Sequence, residues 1–166
     1  MAINFTGEKE QNLLVEKGDY EVIAELSWRK PASGGEPYIN VAFHIRDDVD
    51  QKYAKRIIWD PIYRNKKTGE LQTNKINGLL STIKESERKK SFNDYDELIQ
   101  YLSGKPLKIT VEISNKDFND PNSEKKNTVK MNSYMPTEYP EVKSSIAGEE
   151  NIKPNNVGFT TDDLPF

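Results

Sequence analysis

The sequence predicts a mainly β fold built from five strands, and three observations support this prediction. Four segments alternate apolar and polar residues with the two-residue period of a strand, and a fifth, short segment is rich in β-prone residues. Two amphipathic helical segments both fall between the third and fourth strands. The predicted strands are 19–29, 38–46, 54–60, 107–114 and 127–135, and the predicted helices are 75–85 and 94–103.

The first two strands have the clearest alternation. The apolar face of the first carries Tyr20, Val22, Ala24, Leu26 and Trp28. The apolar face of the second carries Ile39, Val41, Phe43 and Ile45, and its other face carries Tyr38, Asn40, Ala42, His44 and Arg46. We expect the apolar faces to form the core and the polar face of the second strand to be exposed. The connector 30–37 is polar and rich in glycine and proline, which predicts a mobile hairpin loop.

The third strand is too short for its pattern to show which face is buried. If Ile58 points inward, Trp59 points outward, whereas an inward Ile57 would place Trp59 in the core. Pro61 ends this strand or lies at a sheet edge.

The helices and the last strands are predicted from the spacing of their apolar residues and from residues that commonly begin or end a helix. Asn93 is the predicted N-cap of the second helix, and Gly104 is expected to close it. The first helix is predicted from the apolar residues Ile76, Leu79, Leu80 and Ile83. The final strand is predicted to present Val129, Met131, Ser133 and Met135 on one face.

Five strands interrupted by helix between the third and fourth match the order of the OB barrel, whose open strand face and loops bind oligonucleotides. An antiparallel sheet with two helices on one face would have the same order of elements. We expect residues 1–135 to form an OB-like single-stranded-DNA-binding domain. Residues 136–166 contain four prolines and carry six carboxylates against two lysines, which predicts a disordered acidic tail.

Composition excludes several classes of protein. The chain of 166 residues has no cysteine, which excludes disulfides and thiolate metal sites and is typical of a cytoplasmic protein. It shows no secretory signal pattern and no apolar run of about 20 residues that would cross a membrane. Its 24 basic and 27 acidic residues give a net charge of −3, but residues 51–90 alone hold eleven basic and four acidic residues. A basic segment therefore lies between acidic flanks.

No catalytic or metal-binding motif is present. Asp47, Asp48 and Asp50 lack the central glycine and terminal glutamate of a calcium loop, and we interpret them as a solvated turn. His44 is the only histidine, so no histidine zinc site can form, and there is no phosphate-binding P-loop. We therefore expect no cofactor and no enzymatic activity. A magnesium-dependent nuclease is a further hypothesis, and it would require carboxylates that converge from separate elements.

Binding to a single strand requires flat side chains on which bases stack and cations that contact phosphates. Tyr38 is the first candidate for stacking and Trp59 the second, whereas Trp28 shares the apolar face of its strand and is more consistent with the core. Because Trp28 lies near a strand end, it could still reach a bound strand. The predicted DNA-binding residues are Trp28, Arg29, Lys30, Tyr38, His44, Arg46, Lys52, Lys55, Arg56, Trp59, Tyr63, Arg64, Lys66 and Lys67.

The last five residues of the sequence form a distinctive motif, Asp162-Asp163-Leu164-Pro165-Phe166. The acidic pair can steer toward a basic surface, Pro165 restricts the backbone, and Phe166 supplies an apolar anchor. The motif resembles the acidic tip of bacterial-type single-stranded-DNA-binding proteins. That resemblance implies that these five residues recruit replication and recombination proteins.

The body resembles a group of phage early proteins that are suspected to bind single strands. The resemblance rests on the segments at 18–22, 35–41 and 45–53, which read GDYEV, GEPYINV and IRDDVDQKY. Together the two resemblances imply a phage-encoded protein that coats single strands during replication or recombination in the host cell cytoplasm. An alternative is a protein-interaction adaptor of the replication machinery with little affinity for DNA. The sequence leaves homo-oligomerisation open.

Overall fold

The strands of the computed structural model, which describes residues 2–3, 14–117 and 119–144, pair into one five-stranded sheet in the order β3-β2-β1-β4-β5. A single turn of 3-10 helix, Glu85–Glu87, precedes the second helix. The elements are β1 (Gly18–Arg29), β2 (Tyr38–Ile45), β3 (Ile57–Trp59), α1 (Thr73–Ser81), α2 (Tyr95–Leu102), β4 (Pro106–Asn115) and β5 (Lys125–Val129). The predicted order of elements is therefore confirmed.

The twelve-residue strand β1 is the centre of the sheet. Its second half pairs with β2 in antiparallel register, from Val22 opposite Ile45 to Arg29 opposite Tyr38. Its first half pairs with β4, from Gly18 opposite Val111 onward. The sheet curls until β3 and β5 come together, which nearly closes an antiparallel barrel. The OB-like barrel is confirmed, and the alternative of an open sheet with helices on one face does not describe the structure.

The core lies inside the barrel and consists of the residues that alternation placed on the inward faces. Val22, Ile39 and Ile45 are fully buried, as are Ile109 and Val111 of β4. The helices add Leu79 of α1 and both Leu98 and Leu102 of α2 to the same cluster. Since each such side chain contributes about 1.5–3 kcal/mol when buried, the alternating strands supply the main stabilisation of the barrel.

The ends of α2 and β5 differ from the predictions. The N-cap of α2 is Asp94, whose side chain accepts a hydrogen bond from the backbone of Glu97 at 2.8 Å, so the prediction of Asn93 is wrong by one residue. The strand β5 ends at Val129 because the backbone turns at Asn132, whose φ is +60°. Met131 is consequently 79% exposed instead of lying on a buried strand face.

The chain after β5 continues to pack on the barrel, beyond the predicted domain end at residue 135. Met135 pairs with Lys108 of β4, and Thr137 donates a hydrogen bond to the buried carboxylate of Glu21. The backbone nitrogen of Lys143 donates to Asp48 at 2.7 Å. Residues 136–144, which we name the C-terminal strap, therefore belong to the folded body. The remainder of the predicted tail lies outside the described residues.

A fully buried arginine holds the strap. Arg46, at the end of β2, uses each of its five guanidinium hydrogens: two go to the carboxylate of Asp48 at 2.9 and 2.8 Å. The other three are donated to the Thr137 hydroxyl and to the carbonyl oxygens of Tyr139 and Glu141, at 3.2, 2.8 and 3.2 Å. Charge and hydrogen-bonding capacity are thus both satisfied, as burial of a guanidinium requires.

We expect Asp48→Asn to destabilise the fold by about 3 kcal/mol, because it removes the carboxylate that accepts two hydrogen bonds from the buried guanidinium and leaves Glu21, 4.0 Å away, as its nearest negative charge. The Arg46 hydrogen bonds hold the pKa of Asp48 below its usual range. The pair therefore stabilises the fold above the ordinary Asp pKa of about 4 and loses this contribution as the pH falls through the lowered folded value. Urea unfolding of wild type and variant from pH 7 to pH 3 should show the stability difference shrinking below about pH 4.

The matched control is Asp50→Asn, which removes an exposed carboxylate from the same turn. Equal stabilities of the Asp48 and Asp50 variants at pH 7 would contradict the structural role assigned to the Arg46–Asp48 pair.

Candidate nucleic-acid interface

The outer face of β2 and β3 carries a group of aromatic side chains. In antiparallel pairing, residues opposite each other point to the same side of the sheet. Ala42 lies opposite Trp59 and Ile39 lies opposite Ile62, so Tyr38 and Tyr63 are neighbours on the outer side. Their ring centroids are 5.0 Å apart. Tyr38, Trp59 and Tyr63 together form what we name the aromatic face.

Two of the three rings of the aromatic face are open to solvent, whereas Tyr38 is partly buried against the core. Trp59 is 50% exposed and Tyr63 is 53% exposed, whereas Ile58, which precedes Trp59 in β3, is buried. Of the two alternatives for β3, the one with Ile58 inward and Trp59 outward is therefore correct. Exposed aromatic rings on the outer surface of a barrel cost hydrophobic free energy unless something covers them. A flat ligand that stacks on the rings would recover that free energy.

Beside the aromatic face, an open groove of about 690 Å³ follows the seam between β3 and β5. Trp59 and Tyr63 form part of its wall. The groove is lined by five cations and by one carboxylate, that of Asp60, and one of the cations, Lys116, is paired with Glu124 at 2.7 Å. The cations are Arg56, Lys75, Lys116, Lys125 and Lys126. We name this feature the basic groove, and its excess of positive charge favours an anionic ligand.

Three lysines from the β4–β5 hairpin line this groove and were not among the predicted binding residues. Lys116, Lys125 and Lys126 come from a part of the chain that carries no excess of positive charge. They meet Arg56 only because the barrel brings β5 next to β3. The OB order of strands would have indicated this, since closing the barrel places the last hairpin against the third strand.

The floor of the basic groove is a partly buried polar network at the seam. The Lys75 ammonium lies 2.7 Å from a carboxylate oxygen of Asp60 and 2.8 Å from the carbonyl oxygen of Pro61. The hydroxyl of Tyr134 donates to the other Asp60 oxygen. Burial, together with the nearby Asp60 charge, raises the pKa of Tyr134 well above its usual value, so the hydroxyl stays protonated. Asp60 therefore links β3, α1 and the segment after β5.

Two of the predicted DNA-binding residues, Arg46 and Arg64, make hydrogen bonds within the protein. Arg46 has no exposed surface, because the C-terminal strap covers the end of β2 that alternation alone predicts to be open. Arg64 donates to the carbonyl oxygens of Pro37 at 2.6 Å and Gly69 at 2.8 Å. Each arginine contacts backbone acceptors that the sequence pattern does not reveal. The Arg46 guanidinium is therefore closed to a ligand, whereas that of Arg64 is partly exposed and lies 5.9 Å from the centre of the Trp28 ring.

Trp28 lies apart from the aromatic face. It pairs with Ile39 in the sheet and so points to the opposite side from Tyr38. It is not a core residue either, since it is 37% exposed at the end of β1. Its indole nitrogen donates to Asp96 at 2.7 Å, and the edge of its ring meets Tyr95 of α2. Trp28 therefore docks α2 onto the barrel end.

The other predicted cations are dispersed over the surface. Arg29 is next to Tyr38 in the sheet, and Lys30 follows it at the start of the loop. Lys55 is exposed in the turn before β3, and Lys52 lies 3.9 Å from Glu16, beside the start of β1. The turn after Tyr63 holds two further exposed cations, Lys66 and Lys67. Arg29 is thus the predicted cation that the sheet register places directly beside the aromatic face.

His44 is on the outer face but is engaged in a pair. Its Nε2 lies 2.7 Å from the carboxylate of Glu25 on β1. The hydrogen bond from His44 lowers the pKa of Glu25, against the opposing effect of burial. The pair ties β1 to β2 below the aromatic rings. The His44 imidazole therefore helps to hold the two strands together, and its Nε2 is already engaged by Glu25.

In the described part of the chain, the aspartates of the turn after β2 do not meet carboxylates from other elements, as a magnesium-dependent nuclease would require. Asp48 is bound by Arg46, and no group of three or more possible metal ligands occurs within residues 2–3, 14–117 and 119–144. In the same ranges, no helix is long and apolar enough to cross a membrane. The motif at 162–166 lies outside the described residues.

The strand topology and the aromatic face define an OB-like barrel with an open outer surface. The chain belongs to the family described as "Protein of unknown function (DUF669)", whose sequence model matches residues 5–154. No curated protein matches the chain.

We expect Asp60→Ala to destabilise the fold by about 2 kcal/mol, because it leaves the Tyr134 hydroxyl without its acceptor and the Lys75 ammonium with the Pro61 carbonyl oxygen but no negative charge. Urea unfolding at pH 7 measures this loss, and Glu70→Ala, which removes a carboxylate outside this network, is the control. A variant as stable as the control would show that the seam does not depend on Asp60.

Proposed function

We propose that the protein binds single-stranded DNA, without catalysing a reaction and largely without regard to base sequence. One observation carries the proposal: two half-exposed aromatic rings, Trp59 and Tyr63, form part of the wall of a groove with five cations and one carboxylate. Bases stack on such rings irrespective of their identity, and the groove cations other than Lys75, which is paired with Asp60, can contact the phosphates.

The arrangement of the groove favours a single strand over a duplex. Stacking on Trp59 or Tyr63 requires a base whose face is uncovered, and bases in a duplex are covered by their neighbours. The rings lie on rigid elements, since Trp59 ends β3 and Tyr63 packs against Tyr38 of β2. The aromatic side chains of the protein therefore lose little conformational entropy when a strand binds.

The resemblances found in the sequence suggest a biological setting for this activity. They support a role in phage DNA replication or recombination in the cytoplasm of the host cell. They also support recruitment of partner proteins by the five residues at 162–166. The alternative is an adaptor that docks through those residues without binding DNA, and a direct test of DNA binding separates it from our proposal.

We expect Trp59→Ala and Tyr63→Ala each to weaken binding to oligo-dT by about 5- to 150-fold, the range expected when a base can no longer stack on an aromatic ring. Fluorescence anisotropy of a labelled oligonucleotide measures the affinity. Tyr139→Ala is the matched control, because Tyr139 is also 50% exposed but lies on the C-terminal strap. Wild-type protein that fails to bind oligo-dT at low salt would exclude the proposal and favour the adaptor.

The groove lysines should determine how binding depends on salt. We expect Lys125→Ala with Lys126→Ala to reduce the slope of log affinity against log salt by about 0.7 for each phosphate that the variant no longer neutralises. The control pair Lys84→Ala with Lys90→Ala removes the same charge from a segment outside the groove. Equal slopes for the two double variants would show that the strand does not follow the basic groove.

A further inference from the structure

A second cavity, of about 350 Å³, adjoins the basic groove on the side of α1. The two share Asp60, Lys75 and Val129 in their linings, so a strand in the groove passes the mouth of this cavity. Three side-chain amides, those of Gln72, Asn74 and Asn132, contribute to the lining of the second cavity. We name it the amide pocket.

We propose that the amide pocket takes one nucleobase of the strand bound in the basic groove and reads it by hydrogen bonds. This inference rests on the proposed function. It adds a preference for one base to binding that otherwise tolerates any sequence.

The amides of the pocket are available for hydrogen bonds. The oxygen of Gln72 accepts from the backbone nitrogen of Tyr63 at 3.0 Å, which leaves its nitrogen as the group that can donate. The side chains of Asn74 and Asn132 make no hydrogen bond to any other group in the described part of the chain. Amides present a donor and an acceptor side by side, which matches the edges of nucleobases.

The charge of the pocket favours a base over a phosphate. Lys75 is neutralised by Asp60 at 2.7 Å, so its ammonium is not free to attract a phosphate into the cavity. Lys130 is the other cation of the lining and is exposed. The polar groups of the lining that remain available are mainly neutral, as an uncharged heterocycle requires.

The walls of the pocket suit a flat ring. The ring of Tyr134 forms one wall and is packed against Gly78 of α1 so closely that a Cβ at that position would lie 3.0 Å from it. Met131 also lines the pocket, and it is 79% exposed. Its thioether is flexible and makes favourable contacts with aromatic rings. One rigid wall and one adaptable wall can therefore enclose a base.

The test compares the affinities of the full chain for (dA), (dC) and (dT) oligonucleotides of about 16 nucleotides, a length that covers one OB-fold site. We expect wild type to bind its preferred polymer at least about fivefold more tightly than its least preferred one, as base-edge hydrogen bonds allow. The double variant Asn74→Ala with Asn132→Gly should reduce this ratio to within about twofold while leaving the weakest affinity unchanged. Glycine suits position 132, because its φ is +60°.

The control is Asn93→Ala, since that side chain lines neither the groove nor the pocket. The single variants Asn74→Ala and Asn132→Gly test each amide separately, and urea unfolding confirms that each variant is folded. Equal wild-type affinities for the three polymers, or a ratio that survives in the double variant, would overturn the base-reading inference and leave strand binding intact. Failure of wild type to bind any polymer would overturn the proposed function as well.

Discussion

The pairing of β1 with two different partners along its length is the constraint on which the rest of the structure depends. Its second half pairs with β2 and its first half with β4. A strand shared in this way directs the two hairpins of the sheet to opposite sides, and the twist of the sheet then brings β3 and β5 together. The seam between them becomes the floor of the basic groove. The groove is therefore a product of how the barrel closes, and local sequence alone does not create it.

Closure also divides the outer surface into two sides of different character. The C-terminal strap lies over the outer side of β1 and β4 and over the end of β2, where it accounts for the burial of Glu21 and Arg46. The side formed by β2 and β3 has no such cover over Trp59 and Tyr63 within the described part of the chain. The strap thus covers one side of the barrel, and the aromatic rings on the other side remain available for a ligand.

The inward-facing half of the fold could be predicted from the sequence because a two-residue period records burial directly. Ile39, Val41 and Phe43 alternate with the residues of the outer face, and all three are buried. The outer face could be predicted only in part: alternation predicts exposure along the whole of β2, but Asn40 and Ala42 of that face are buried. Arg46 has the period of an exposed residue, but it is covered by groups more than 90 residues away in the chain. Periodicity contains no information about which distant segment crosses a face.

The candidate site shows the same division. Tyr38, Trp59 and Tyr63 could be predicted because they lie on β2, on β3 and shortly after β3. The sequence left open only whether Ile58 or Ile57 points into the core. The lysines of the β4–β5 hairpin could not be found by counting charge along the chain, because their concentration exists only across the seam. The end of β5 could not be predicted either, since the left-handed conformation of Asn132 stops the strand although the polar alternation continues.

The enclosure of Arg46 makes the C-terminal strap part of the same cooperative unit as the barrel. A guanidinium keeps its proton at all pH values at which proteins are folded, so peeling the strap away would break three charge-assisted hydrogen bonds at once, those to Thr137, Tyr139 and Glu141. Local fraying at residues 137–141 is therefore more costly than fraying of a segment that only touches the surface. The amide hydrogens of Glu138 and Tyr139, which are donated to Glu21 and Thr137, should exchange with solvent more slowly than those of exposed loops, although the strap has almost no regular secondary structure. Insertions or fusions that the fold tolerates belong after the strap, since a break within it would disturb the barrel.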